Sequence, residues 1–446
     1  MFRRISITSW KFLLAGKGIS FRTGQYLGES MLVGLVTGFV VVAFRYMINY
    51  GESLLMGGSW LSGRRWAMIF LPALGALAGY ILIKRFARLE HARGTDSAIK
   101  SFHQHGGYIT SAVIPIKSVA SVLTVGSGGS AGYEGPVTLI GAACGSVIAR
   151  MLNLTVRARR ILMAAGLAAG IAALFQAPLA GAIFGFEIFY SSSDVEYETV
   201  LPCFIAAPIS YTIYAYFFGW QPLFTMPPCA YENALRLLPY FALALVITFG
   251  ARFYISFFRG TEETFANLRI PGYVKVVLGG LVVGLLGYFI FPGVYGAGYP
   301  IIRRCLVENG NAVVFLAMFF LNVISTSFTV GSGGSGGIFA PALVCGATLG
   351  ATTGLFFARV LPASWGVHPS AFALVGMAGF LASSVRIPLT AIVMVAEISG
   401  NHQLLAPAMW VCGIAFWFNN GWSLYRSQVH SQESSPVHRG TRGRSA

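Results

Sequence analysis

Apolar residues in this chain come in long blocks set apart by short polar or basic stretches. The blocks lie near 27–50, 66–84, 108–125, 137–153, 159–190, 197–218, 236–258, 273–292, 311–330, 338–361, 371–398 and 404–421. Several exceed the roughly 20 residues that a helix needs to span hydrocarbon, while others are short or broken by Gly and Pro. The pattern predicts an all-α polytopic membrane protein with discontinuous helices.

The blocks also repeat. GSGGSAGYEGP at 126–136 returns as GSGGSGGIFAP at 331–341, an offset of 205. Gly166 to Ile188 return as Gly376 to Ile398, an offset of 210 that carries Gly, Pro and Glu along. Such self-similarity predicts two structural copies: a segment at 1–24, repeat one at 25–220, a connection at 221–232, repeat two at 233–425 and a tail at 426–446. Transporters built from two halves commonly hold their substrate between the repeats near the membrane midplane, on broken helices whose N-termini face an anion. The glycine runs suit that task. They carry few Cβ atoms, so their N–H groups can converge on a ligand, and each leads into an apolar helix with Pro in its first turn. A helix N-terminus offers about half a positive charge and several unpaired donors, so two of them make an anion site without a buried cation. The competing reading is close packing of glycine-rich membrane helices, which a duplicated run ending in Pro fits poorly.

Composition and charge agree with membrane burial. The 446 residues are 55% hydrophobic and 10% charged, against roughly 25% charged in soluble domains, and the mean hydropathy is +0.68. A net charge of +16 raises nucleic acid as a partner, but the basic residues sit at the termini and between apolar blocks instead of along one stripe. The expectation is a chain surrounded by membrane lipid, with no nucleic acid bound. Arg3, Arg4, Lys11, Lys17 and Arg22 precede the first block, and Arg426, Arg439, Arg442 and Arg444 follow the last. That bias places both termini in the cytoplasm, with Lys84, Arg85 and Arg88 at a second return. The first twenty residues lack the features of a cleaved signal peptide. Cys144, Cys203, Cys229, Cys305, Cys345 and Cys412 show no CxxC or Cys/His spacing and read as small buried hydrophobes; no metal or other cofactor is expected. His103 and His105 read as loop or helix-end residues. The 21 residues after Tyr425 are too few for a regulatory domain and read as a disordered end.

With these residues in view, the chain resembles the CLC family of chloride channels and transporters, in its short prokaryotic form without CBS domains. GYEGP at 132–136 is similar to the family's GREGP, GGIFAP at 336–341 matches its GxFxP, and SLYRSQ at 423–428 resembles its tyrosine-bearing segment. The resemblance implies an inverted repeat of two helical halves, with broken helices meeting at the membrane midplane and roughly eighteen helices or half-helices per subunit. It also implies a homodimer in a bacterial inner membrane. Glu134 would be the gating, proton-accepting carboxylate. A carboxylate at such depth costs at least ~2.5 kcal/mol to insert, so it is normally functional or paired; the plainer reading is a Glu that caps its own helix. Ile338 and Phe339 would turn backbone amides toward the central anion, with Gly135 close by. Tyr425 would add its phenolic O–H from the start of the last helix. Lys117 would raise anion affinity from a distance, or else snorkel to the surface.

The sequence departs from the family pattern at three places. The family's GSGIP is absent, and HARGTDSAIKSFHQ at 91–104 stands there, with Arg93 in the serine slot and the hydroxyls of Thr95 and Ser97 as substitutes. Tyr133 replaces the arginine of GREGP. Ile188 follows Glu187 where the family's exchangers carry an inner proton-transfer glutamate, and Glu187 recurs as Glu397, which favours a structural role such as helix capping. Asp194, Glu196 and Glu198 read as a solvated loop. The expected function is transport of small inorganic anions, chloride foremost, as a proton-coupled antiporter gated by Glu134. Ile188 keeps a passive gated channel open, and the missing GSGIP keeps fluoride or nitrate open. No HExxH or paired intramembrane aspartates are present, so no enzymatic activity is expected.

Overall fold

The computed structural model describes residues 26–57, 65–86, 94–224, 234–306, 310–362 and 365–439. Arg93 and Cys229 lie outside them. The first half runs α1 (Leu27–Leu55), α2 (Ala67–Phe86), α3 (Thr95–Gln104), α4 (Val113–Gly126), α5 (Glu134–Met151), α6 (Val156–Phe175), α7 (Pro178–Glu187) and α8 (Val200–Phe218). The second half answers helix for helix with α9 (Leu238–Asn267), α10 (Gly272–Phe289), α11 (Tyr299–Cys305), α12 (Ala312–Gly331), α13 (Phe339–Val360), α14 (Pro369–Ser384), α15 (Pro388–Ser399) and α16 (Leu405–Phe418), and a short α17 (Pro436–Arg439) follows. Helices α1, α2, α6, α9, α10, α12, α13 and, with its leading turn, α8 are long and apolar enough to cross a membrane. The fold is all-α; among the described residues the β-geometry amounts to isolated bridges.

The duplicated sequence breaks its helices at duplicated points. Helix α6 ends at Gln176 in the left-handed region (φ 54°), and its repeat mate Arg386 (φ 66°) does the same after α14. Ala177 (φ −130°, ψ 79°) and Ile387 (φ −127°, ψ 65°) then precede Pro178 and Pro388 in nearly the same conformation. The residue before proline avoids helical geometry, so each chain breaks there and restarts with Pro at the head of a new helix. Packing repeats as well. Helix α5 crosses α6 where a Cβ on Gly141 would fall 2.2 Å from the Gly166 carbonyl, and α13 crosses α14 at the mates Gly346 and Gly376, where the distance is 2.5 Å. Small residues let the backbones touch, as expected where lipid removes the hydrophobic drive between helices. These four helices are buried almost throughout, whereas α1 and α2 turn Leu32, Leu35, Phe39, Phe70, Leu74 and Ile81 outward.

Two expectations fail at the C-terminal end. Tyr425 does not begin a helix; it lies in an irregular stretch after α16. The tail is not a free end either, because residues 427–438 pack on the body. Asp96 accepts from the Ser427 amide and hydroxyl, both at 2.9 Å. The Gln428 amide donates to the carbonyls of Ile188 (2.9 Å) and Val385 (3.0 Å), and Val429 bridges to Tyr190. Carbonyls left open beyond α7 and α14 need donors, and a polar tail supplies them without any apolar signature. The acidic loop is likewise not simply solvated. Glu196 is 4% exposed, accepts from the Tyr190 hydroxyl at 2.6 Å and lies 3.0 Å from His438 Nε2. Asp194 accepts from the Gln432 amide at 2.8 Å, and Glu198 pairs with Arg157 at the surface. Cys144, Cys203, Cys305, Cys345 and Cys412 are buried free thiols.

Candidate anion site

Helices α4 and α12 end in the two glycine runs, and the runs meet. Gly132 and Gly337 exchange both backbone hydrogen bonds at 2.8 Å. Around them the Ser130 amide donates to Thr329 Oγ1 (3.0 Å), and its repeat mate, the Ser335 amide, donates to Thr124 Oγ1 (3.4 Å). Each of these contacts returns under exchange of the repeats, so a local two-fold axis passes between Gly132 and Gly337. Helices α5 and α13 begin directly beyond it and direct their positive N-terminal ends to the same place.

Glu134 opens α5 and is fully buried. Its carboxylate reaches across to the other repeat. Oε1 accepts a hydrogen bond from the Tyr299 hydroxyl. Oε2 makes no hydrogen bond within normal geometry and faces the Ala340 amide at the head of α13. A Cβ on Gly132 would fall 1.9 Å from that oxygen and 3.1 Å from the Ala340 nitrogen, so glycine leaves the room the carboxylate fills. The carboxylate thus stands where a helix terminus would receive an anion. Beside it, the Tyr133 hydroxyl donates to Glu52 (3.0 Å), an exposed residue near the end of α1.

A cavity of about 720 Å³ adjoins the same two helix heads, lined among others by Thr95, Ser97, Lys117, Gly135, Ile338 and Tyr425. Tyr425 is 4% exposed and its hydroxyl finds no hydrogen-bond partner among the described residues, with Thr95 as a polar neighbour. A buried O–H left open in a polar cavity is suited to an anion. Lys117 does not snorkel. It is 3% exposed, and its ammonium donates to Ser335 Oγ (3.0 Å) on the glycine run of repeat two. Phe339 is the first residue of α13, and its ring packs on Phe175 and Phe184. Ile188 is fully buried.

Glu187 and Glu397 cap each other's repeat. Glu187 accepts from the Leu389 and Thr390 amides (2.8 Å each) and from Thr390 Oγ1 (2.6 Å), closing the N-terminus of α15. Glu397 does the same for α7 through the amides of Leu179 (3.0 Å) and Ala180 (2.8 Å). His103 is buried near the end of α3, with Nδ1 2.9 Å from Ser435 Oγ and Nε2 3.0 Å from the Phe189 carbonyl, while His105 is exposed. No cluster of metal-ligating side chains occurs among the described residues. Sequence reasoning missed Tyr299. Its one signal is GAGYP at 296–300, where glycine and proline hold a lone aromatic residue at a helix start.

The profile of the voltage gated chloride channel family matches residues 73–420. An H(+)/Cl(−) exchange transporter ClcA of Yersinia pestis is 32% identical over 391 residues, covering 85% of this chain and 81% of its own. A ClcB-like chloride channel protein of Ralstonia nicotianae is 29% identical over 391 residues, covering 85% and 90%. Among solved structures, a slow cyanobacterial Cl−/H+ antiporter superposes with a TM-score of 0.80 at 23% identity, over 96% of this chain and 99% of its own. A CLC-type fluoride/proton antiporter gives 0.78 at 21% identity, over 90% and 97%.

Proposed function

Since this chain belongs to the voltage-gated chloride channel (CLC) family, we propose that it moves small inorganic anions, chloride foremost, across a membrane in exchange for protons. The observation that carries the reading is the Glu134 carboxylate, seated at the head of α13 one residue before Gly135, which lines the cavity that also holds the Tyr425 hydroxyl. A charged carboxylate and a chloride ion compete for one place. A proton neutralises the carboxylate, which then leaves the helix terminus, and the anion takes the position; return of the charged carboxylate expels the anion. Ile338, Gly135, Thr95 and Ser97 line the anion's route, and Lys117 sets its potential. Because Ile188 carries no proton, the inner proton reaches Glu134 through water in the cavity.

The same reading places both termini in the cytoplasm of a bacterial inner membrane. Glu134 then lies toward the outside, since Tyr133 bonds to Glu52 at the far end of α1. Two copies form a homodimer, each with its own pathway. One relative exchanges chloride and one structural neighbour exchanges fluoride, so the preferred anion is tested directly. In liposomes holding the purified full chain, a chloride gradient drives protons uphill, with fluoride, nitrate and bromide compared in the same assay. The second reading, a passive gated channel, is favoured by Ile188; it predicts a reversal potential that follows the anion gradient alone and ignores pH. Absence of any coupled proton movement would replace the exchanger with the channel.

A further inference from the structure

We propose that the Tyr299 hydroxyl holds the Glu134 carboxylate in the anion position and thereby sets how readily chloride displaces it. The idea rests on the reading of Glu134 as the gate. Tyr299 opens α11, which comes from repeat two, so one half of the molecule holds the gate of the other. The chain is shaped for this placement: Gly298 adopts φ 79°, and a Cβ there would fall 2.6 Å from Val344 Cγ2, while Pro300 starts the helical turn. Phe224, itself fixed by an amide bond to the Ile398 carbonyl (2.9 Å), packs against the Tyr299 ring with centroids 6.2 Å apart. The phenyl ring is thus held by apolar neighbours, whereas the hydroxyl meets Glu134 Oε1.

The chemistry makes the contact selective. A phenol donating to a charged carboxylate forms a charge-assisted hydrogen bond, about twice as strong as one to a neutral acceptor. The contact therefore weakens when Glu134 takes up a proton, and the need to break it opposes displacement of the charged form by chloride. Arg45, Glu52, Tyr133 and Tyr214 also face this gate, but Tyr299 is the side chain whose hydrogen bond to the carboxylate spans the two repeats.

The test measures chloride binding to the purified full chain by calorimetry in four proteins: wild type, Tyr299→Phe, Glu134→Ala and the double variant. Losing a hydrogen bond to a charged group gives Tyr299→Phe about tenfold tighter chloride binding. The same substitution changes nothing once Glu134 is alanine, because there is no carboxylate left to hold. Tyr299→Leu, which also lacks the hydroxyl, shifts in the same direction. Wild-type affinity in Tyr299→Phe, beside altered affinity in Glu134→Ala, overturns the proposal and leaves the gate standing. An equal shift in both backgrounds also overturns it, since the tyrosine then acts through packing. If Glu134→Ala leaves chloride binding and proton coupling unchanged, the gate reading itself fails.

Discussion

Gly132 and Gly337 are repeat mates, 205 positions apart, and each donates its N–H to the other's carbonyl at 2.8 Å. This self-pairing fixes the two helix heads of α5 and α13 relative to each other, and it brings the Glu134 carboxylate of one repeat to the terminus of the other. The backbone does this with no side chain in the way, because the space beside Gly132 is where Glu134 Oε2 lies.

Gly132→Ala therefore ejects the carboxylate. Its Cβ would also come 2.8 Å from the Ala340 Cβ, so the variant loses about 1–3 kcal/mol of stability but keeps the fold. In liposomes, chloride flux persists while proton coupling drops toward that of Glu134→Ala. Wild-type coupling in Gly132→Ala would show that the carboxylate does not need this place.

Lys117 lines the cavity with its Nζ donating to Ser335 Oγ, and the proposed function has its charge raise the affinity for the anion. Replacing it by methionine keeps the stem and removes the charge, and at the effective dielectric of such a site the affinity for chloride falls roughly 3- to 30-fold. Calorimetry at low ionic strength measures the loss. Unchanged chloride affinity would assign Lys117 to packing alone.

The fold and the centre of the site are legible in the sequence because both are written twice. The glycine runs, the prolines that restart α7 and α15, and the Glu187 and Glu397 pair all stand out as matched offsets along the chain. What stayed hidden is written once. Tyr299 has no phenolic counterpart in the first repeat, and its contact with Glu134 spans 165 positions. The docked tail was hidden for another reason: its Ser, Gln and His bond to open carbonyls, a partnership that composition reads as disorder. Glu187 was legible as structural, but its partner was not, because the helix it caps belongs to the opposite repeat.

That reciprocal capping predicts unequal losses. Glu187 is buried and closes three donors of α15 and Thr390, so Glu187→Ala strands buried N–H groups and lowers stability by about 3–5 kcal/mol. Glu397 is partly exposed and holds two amides, so Glu397→Ala costs about 1–2 kcal/mol. Thermal unfolding in detergent ranks the two, and in liposomes Glu397→Ala retains wild-type proton coupling. Loss of coupling in Glu397→Ala would give these glutamates a part in proton movement.

The docked tail predicts an acid-sensitive stability centred on His103. Burial, with Arg160 and His438 adding repulsion, lowers this imidazole from an ordinary 6.5 to about 4, partly offset by its bond to the Phe189 carbonyl. Native His103 therefore stays neutral while the unfolded chain takes up its proton near pH 6.5. Below that pH the unfolded state binds more protons than the native state, so stability falls as pH drops from about 6.5 to about 4 and levels off below. The full loss is at most about 3 kcal/mol. It is felt where α3 meets the tail, since a charged His103 can no longer accept from Ser435 while donating to Phe189. Proteolysis of the detergent-solubilised protein thus cuts within residues 427–438 far faster at pH 5 than at pH 7.5. His103→Asn, which is neutral at both values, removes the difference between them. A His103→Asn protein that keeps the full acid dependence would show that this imidazole is not its cause.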